Sequence, residues 1–173
     1  MTWILILTGL ATLIYLSYNV VALAKFNVPH SLSDTYYLFG GTKKQNRKHL
    51  FTIMMVFMAM LLMPAWLDIS EGSNFQFTAF IAACGIIFTG MIPEFKKDNF
   101  NRNSHTVCAI IAAMGAIAWI ILVANLWWII LIWFCIITFL SIITSSYKTS
   151  FTYWIETVAF LSTFTSIFIY YFS

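Results

Sequence analysis

Charge is scarce in this chain, and what there is sits in a few short stretches. Asp, Glu, Lys and Arg make up only 9% of the residues against 61% hydrophobic, and the mean hydropathy is +0.88. A soluble domain of this length needs a polar shell, and this composition lacks the residues to build one. Cysteine is equally sparse: Cys84, Cys108 and Cys135 stand singly and far apart. A disulfide framework and a paired-cysteine metal site are thereby excluded, and each cysteine is expected to serve as a small packing residue. The glycines form no Walker loop, no dinucleotide fingerprint and no G-x-S-x-G elbow. Catalysis has no positive motif, and neither a cofactor nor a nucleic-acid partner is expected.

What is present is long apolar sequence. A helix needs about 20 predominantly apolar residues to cross the hydrocarbon core. Six segments meet that need: about Thr2–Leu23, Leu50–Leu67, Phe75–Ile92, Thr106–Val123, Trp127–Tyr147 and Phe151–Phe172. The expected fold is therefore all-α, a single polytopic six-helix transmembrane bundle over residues 1–173 with no room for a soluble domain. Ala22-Leu23-Ala24 has the look of a signal-peptidase site, but the first residues carry no positive charge and a basic cluster follows. A retained first helix is expected.

The basic residues orient the bundle. Lys25, Lys43, Lys44, Arg47 and Lys48 follow the first span, Lys96, Lys97 and Arg102 the third, and Lys148 the fifth. The second connection carries only Asp68 and Glu71, and the fourth, around Asn125, is uncharged. Cytoplasmic loops retain Lys and Arg, so the first, third and fifth connections are predicted inside and both termini outside, in a bacterial inner membrane. Aromatic residues add a second vote. Trp3, Trp66, Trp127, Trp128, Tyr170 and Tyr171 fall at predicted outer ends, and Tyr36, Tyr37, Tyr147, Tyr153 and Trp154 at inner ones.

Residue size predicts the packing. The third span carries Ala79, Ala82, Ala83, Gly85 and Gly90, and the fourth Ala109, Ala112, Ala113, Gly115 and Ala116. Small residues let helix backbones approach in lipid, so these two spans are expected to form a tight central hairpin. The fifth, rich in Trp, Ile, Leu and Phe, should face lipid, and Pro64 should kink or fray the outer end of the second. In the first connection, Ser31-x-x-Asp34 has capping-box spacing before Thr35–Phe39 and Gly40-Gly41. A short interfacial helix is expected there, with Lys43, Lys44, Arg47 and Lys48 then lying against anionic headgroups of the bilayer.

The polar residues define a candidate site. Glu156 is the only acid well inside a span, ~9 Å from the start of the sixth at 1.5 Å per residue. An ionised side chain at that depth costs a few kcal/mol unless it is paired, so it should face the bundle interior. Asn19, Tyr15, His105, Thr144 and Ser145 are partners at similar depth. With Glu94 and Asp34 they place a polar cluster of Glu156, His105, Asn19, Glu94 and Asp34 at the basic face. The bland reading is a set of structural interhelical hydrogen bonds. The sharper ones are a proton-transfer pair of His105 with Glu156, or a metal held by His30, His49 and His105, as in ceramidase-type intramembrane zinc hydrolases. No H-x-x-x-H motif supports the metal.

The strings Val28-Pro29-His30-Ser31-Leu32-Ser33-Asp34-Thr35-Tyr36-Tyr37-Leu38, Pro64-Ala65-Trp66-Leu67-Asp68, Pro93-Glu94-Phe95 and His105-Thr106-Val107 resemble segments of small six-span membrane proteins of Bacteroidetes and their gut phages. The resemblance covers the first four spans, implies the same architecture and brings no assigned activity. The function expected is that of a non-catalytic membrane protein acting on lipid or on a membrane partner, including a second copy of itself. The alternatives are a small transporter or channel subunit with its polar site near Glu156, and a lipid hydrolase using the His and carboxylate groups.

Overall fold

The computed structural model describes residues 2–40 and 48–173, and among these the only regular structure is helical. The elements are α1 (Thr2–Phe26), α2 (Thr35–Gly40), α3 (His49–Ile69), α4 (Phe77–Met91), α5 (Asn99–Leu122), α6 (Trp127–Ile143) and α7 (Phe151–Phe172). Four of them, α1, α3, α5 and α7, are long and apolar enough to cross a membrane; α4 and α6 are apolar but shorter. The outer surface of the bundle is apolar, with Leu13, Met60, Met114, Phe139 and Ile143 all widely exposed. Such a surface suits lipid rather than water.

The helix limits have local causes. α1 stops where Asn27 adopts a left-handed conformation (φ 58°), one that asparagine tolerates better than most residues. α5 begins at Asn99 rather than near Thr106. Asp98 caps it, its side chain accepting from the Asn101 amide at 2.7 Å, so the polar stretch before His105 joins the helix. α6 ends at Ile143, short of Tyr147, because Ser145 turns left-handed (φ 53°) and the Thr144 hydroxyl takes the Leu140 carbonyl at 2.9 Å. α3 continues through Pro64 to Ile69, so the expected fraying does not occur.

Packing follows residue size. At Gly85 an added Cβ would stand 2.5 Å from the Ala112 amide nitrogen, and at Gly115 one would stand 2.7 Å from that of Ala82. α4 and α5 are the tight hairpin expected. The centre, however, is α3, which packs against α1, α2, α4 and α7 and buries Phe51, Met58, Leu62 and Trp66. α6 lies at the edge, packed mainly on α7 with Ile129 and Ile137 buried and Trp133 Nε1 donating to Thr165 Oγ1 at 2.9 Å.

Several aromatic and cysteine assignments need correction. Trp66, Tyr36 and Tyr153 are buried rather than placed in a belt, because each packs inward on the bundle. Trp3, Trp127, Tyr147 and Tyr170 are exposed near helix ends. Cys84 and Cys135 are exposed on the apolar surface, so they fill no core space.

Candidate functional site: a vestibule at the basic end

The chain between α1 and α2 folds back across one end of the bundle, tied to α7 through its backbone and to α5 through the Ser33 hydroxyl. The Tyr153 amide, one of the unpaired donors in the first turn of α7, donates to the His30 carbonyl at 3.2 Å. Ser150 Oγ donates to the Val28 carbonyl at 3.2 Å. Glu156 Oε2 accepts from the Leu32 amide at 2.7 Å. One residue on, Ser33 Oγ meets His105 Nε2 at 2.8 Å.

α2 seats this strap. Ser31 Oγ accepts from the Asp34 amide at 3.1 Å, which is half of the expected capping box. The other half is missing because the Asp34 carboxylate turns to Lys96 Nζ, 2.6 Å away. The aromatic face of α2 turns to protein, not bilayer: Tyr36 and Phe39 are buried. Tyr36 OH donates to Glu94 Oε1 at 3.2 Å, and Lys48 and Lys97 each reach Glu94 at 3.7 Å. Burial pushes the Tyr36 phenol up from its ordinary value, with Lys48 opposing the rise and Glu94 adding to it. Its hydroxyl therefore stays a donor.

His105 is held on three sides. Its Nδ1 lies 2.8 Å from the Ile92 carbonyl, which can only accept, so Nδ1 carries a hydrogen. In the neutral ring Nε2 then accepts from Ser33. Phe95 stacks on the imidazole with ring centroids 4.6 Å apart.

Beneath the strap lies an open vestibule of about 650 Å³, lined among others by His30, Asp34, Lys96, Arg102, His105 and Glu156. It meets a narrow apolar crevice of about 50 Å³ between α3, α4, α5 and α7, and the two share Ser33, Ala109, Ala113 and Glu156. At its far end the crevice is lined by Leu62 and Trp66, and Trp66 packs on Trp119, both without exposed surface. Trp119 Nε1 is in turn fastened to Ser70 Oγ at 2.9 Å.

Of the five residues expected at the polar site, Glu156, His105 and Asp34 line the vestibule. Glu94 lies on the other side of α2 with Lys48 and Lys97. Asn19 is deeper in the bundle, accepting from Tyr153 OH at 2.8 Å and donating to the Tyr15 carbonyl. The expected pairing of Glu156 with His105, Asn19, Tyr15, Thr144 or Ser145 is replaced by the Leu32 amide, since the strap reaches the carboxylate first. His30 was expected only as a metal ligand, and Lys96 and Arg102 only as topology-setting cations; His30 and Lys96 lie in connections and Arg102 in the first turn of α5, and only the fold brings them to one vestibule. Lys43, Lys44 and Arg47 lie outside the described residues, and Lys48 faces Glu94 and the Tyr36 ring.

The chemistry available is mainly that of holding. Nε2 of His105 and one oxygen of Glu156 support the strap, while Nδ1 of His105 is engaged by the Ile92 carbonyl at the end of α4. His49 is not among the vestibule residues, and no group of three or more His, Cys, Asp or Glu among the described residues is placed to bind a metal ion. Comparison with protein-family models, with curated proteins and with solved structures returns no match.

Proposed function

We propose that this chain is a six-span inner-membrane protein, with both termini outside, that acts by binding at its cytoplasmic end rather than by catalysing a reaction. The vestibule is the surface it offers to lipid or to a partner in the membrane. The observation that carries this reading is the engagement of His105 and Glu156. A proton-transfer pair must meet within hydrogen-bond reach, about 3 Å, yet each of these groups is committed to the strap instead, His105 at Ser33 and Glu156 at Leu32. The buried, mutually tilted Trp66 and Trp119 at the far end of the crevice support a blind site over a conducting path. The positive loops support the orientation.

The experiment combines labelling with flux. The three native cysteines are replaced by serine or alanine, and T152C is introduced at the exposed, vestibule-lining Thr152. A membrane-impermeant maleimide should modify T152C in inverted membrane vesicles and leave it unmodified in right-side-out ones. Proteoliposomes carrying an internal pH dye should leak protons no faster than empty liposomes. Labelling from the outer side would reverse the orientation. A proton flux abolished by E156Q would replace the binding reading with the transporter reading.

A further inference from the structure

The vestibule has the chemistry of a headgroup site joined to an acyl-chain site, and we propose that it holds one anionic phospholipid from the adjacent leaflet, its phosphate at Arg102 and His30 and the upper part of one chain in the crevice. This rests on the binding reading above and names its ligand.

The charges decide the sign of the headgroup. Two acids line the vestibule, but Asp34 is neutralised by Lys96 at 2.6 Å and Glu156 directs one oxygen to the Leu32 amide. The side chains of Arg102 and His30 are exposed and have no hydrogen-bond or ion-pair partner among the described residues. A guanidinium with its five donors unused suits a phosphate, which it can take through two parallel hydrogen bonds. Glu156 stands at the junction with the crevice, so the mouth itself holds the Asp34–Lys96 pair and Arg102, a local charge that is positive.

The apolar part decides that the ligand is an amphiphile. From the vestibule floor the crevice continues between Ala109, Ala112, Ala113 and Ala116 of α5 and Ala159 and Phe160 of α7. Alanine on facing helices leaves a slot without closing it. Its volume of about 50 Å³ is room for a few methylene groups of one chain and excludes two side by side. The second chain remains against Ile110 and Ile155, which are exposed at the vestibule rim. A free phosphate would use the mouth alone and leave this slot unused.

The test is native mass spectrometry of the full chain released from mixed micelles containing equal amounts of phosphatidylglycerol and phosphatidylcholine with the same acyl chains. One phosphatidylglycerol should stay bound at activation energies that strip phosphatidylcholine. R102Q alters an exposed side chain and should keep the wild-type melting temperature while lowering phosphatidylglycerol retention at least fivefold. A113L, which fills the junction of the two cavities, should lower it as well. Glycerol phosphate at the same concentration should not compete. Equal retention of the two lipids, unchanged retention in R102Q, or competition by glycerol phosphate would each overturn the proposal while leaving the binding reading in place. Release of fatty acid or headgroup from the bound lipid would instead overturn the non-catalytic reading itself.

Discussion

His105 and Glu156 hold adjacent residues of the same strap, the one at the Ser33 hydroxyl and the other at the Leu32 amide, each within 2.8 Å. Two polar side chains from different helices thus act on one short stretch of chain, Glu156 through the backbone and His105 through a side chain. The buried Leu32 amide has its acceptor in Glu156, and the cost of losing that acceptor exceeds the modest net value of an ordinary hydrogen bond.

Substitution at Glu156 separates charge from hydrogen bonding. E156Q keeps an oxygen that can accept from Leu32, whereas E156L leaves the amide buried and unpaired. E156L should lose about 1–3 kcal/mol of stability, and E156Q about 1 kcal/mol or less. Denaturant unfolding in detergent micelles measures both. Equal losses in the two variants would mean that the Leu32 contact is not what Glu156 supplies.

The shared strap also predicts coupling. With the strap released by E156L, the Ser33 contact of His105 loses its fixed geometry, so H105L should cost less in that background than in the wild type. A coupling energy of about 0.5–3 kcal/mol is expected from the double-mutant cycle. Strict additivity would show that the two anchors act independently.

Helix contact predicts opposite signs for three glycine substitutions. G85A and G115A would drive a methyl group into the backbone of Ala112 and Ala82, which cannot rotate away. Each should destabilise by about 1–3 kcal/mol, the usual cost of overpacking. Gly9 has nothing within 4 Å of its would-be Cβ, so G9A should be neutral or stabilise by up to about 1 kcal/mol through helix propensity. Melting temperatures of the three variants decide the matter, and a stabilised G85A would contradict the close α4–α5 approach.

The attachment of α6 offers a smaller effect. Trp133 and Thr165 supply a side-chain hydrogen bond between α6 and α7 at 2.9 Å. Interhelical hydrogen bonds in membranes average about 0.6 kcal/mol, so W133F and T165V should each cost about that much in thermal stability and the double variant little more than either. Losses that simply sum would place their origin outside this contact.

Much of the bundle was legible in the sequence because its causes are local. Apolar run length marks the helices, and the small residues of α4 and α5 mark the hairpin they form. The ends of α5 and α6 were not, since a single aspartate cap at Asp98 lengthens one helix and a turn at Ser145 shortens the other. At the site, Glu156 was conspicuous as a lone acid, but its partner is a backbone amide, and a backbone amide has no signature in sequence. Arg102 and His30 come together only because the strap folds back beneath α5 and α7. Trp66 illustrates the opposite error: a tryptophan near a helix end suits an interfacial belt by composition, and only packing on Trp119 reveals it as core.

The brevity of α4 bears on the surrounding lipid. Its 15 residues rise only ~22 Å, against ~30 Å of hydrocarbon in an average bilayer. On the six-span reading, α4 spans with its hydrocarbon-facing side too short. Exposed Phe77 near one end and Met91 at the other sit where headgroups would otherwise be expected. The acyl chains beside α4 then compress, at a fraction of a kcal/mol per Å of mismatch, while those beside the 25-residue α1 do not. On that reading the protein would carry a thin side and a thick side, and a bilayer accommodating both would be graded in thickness around its circumference.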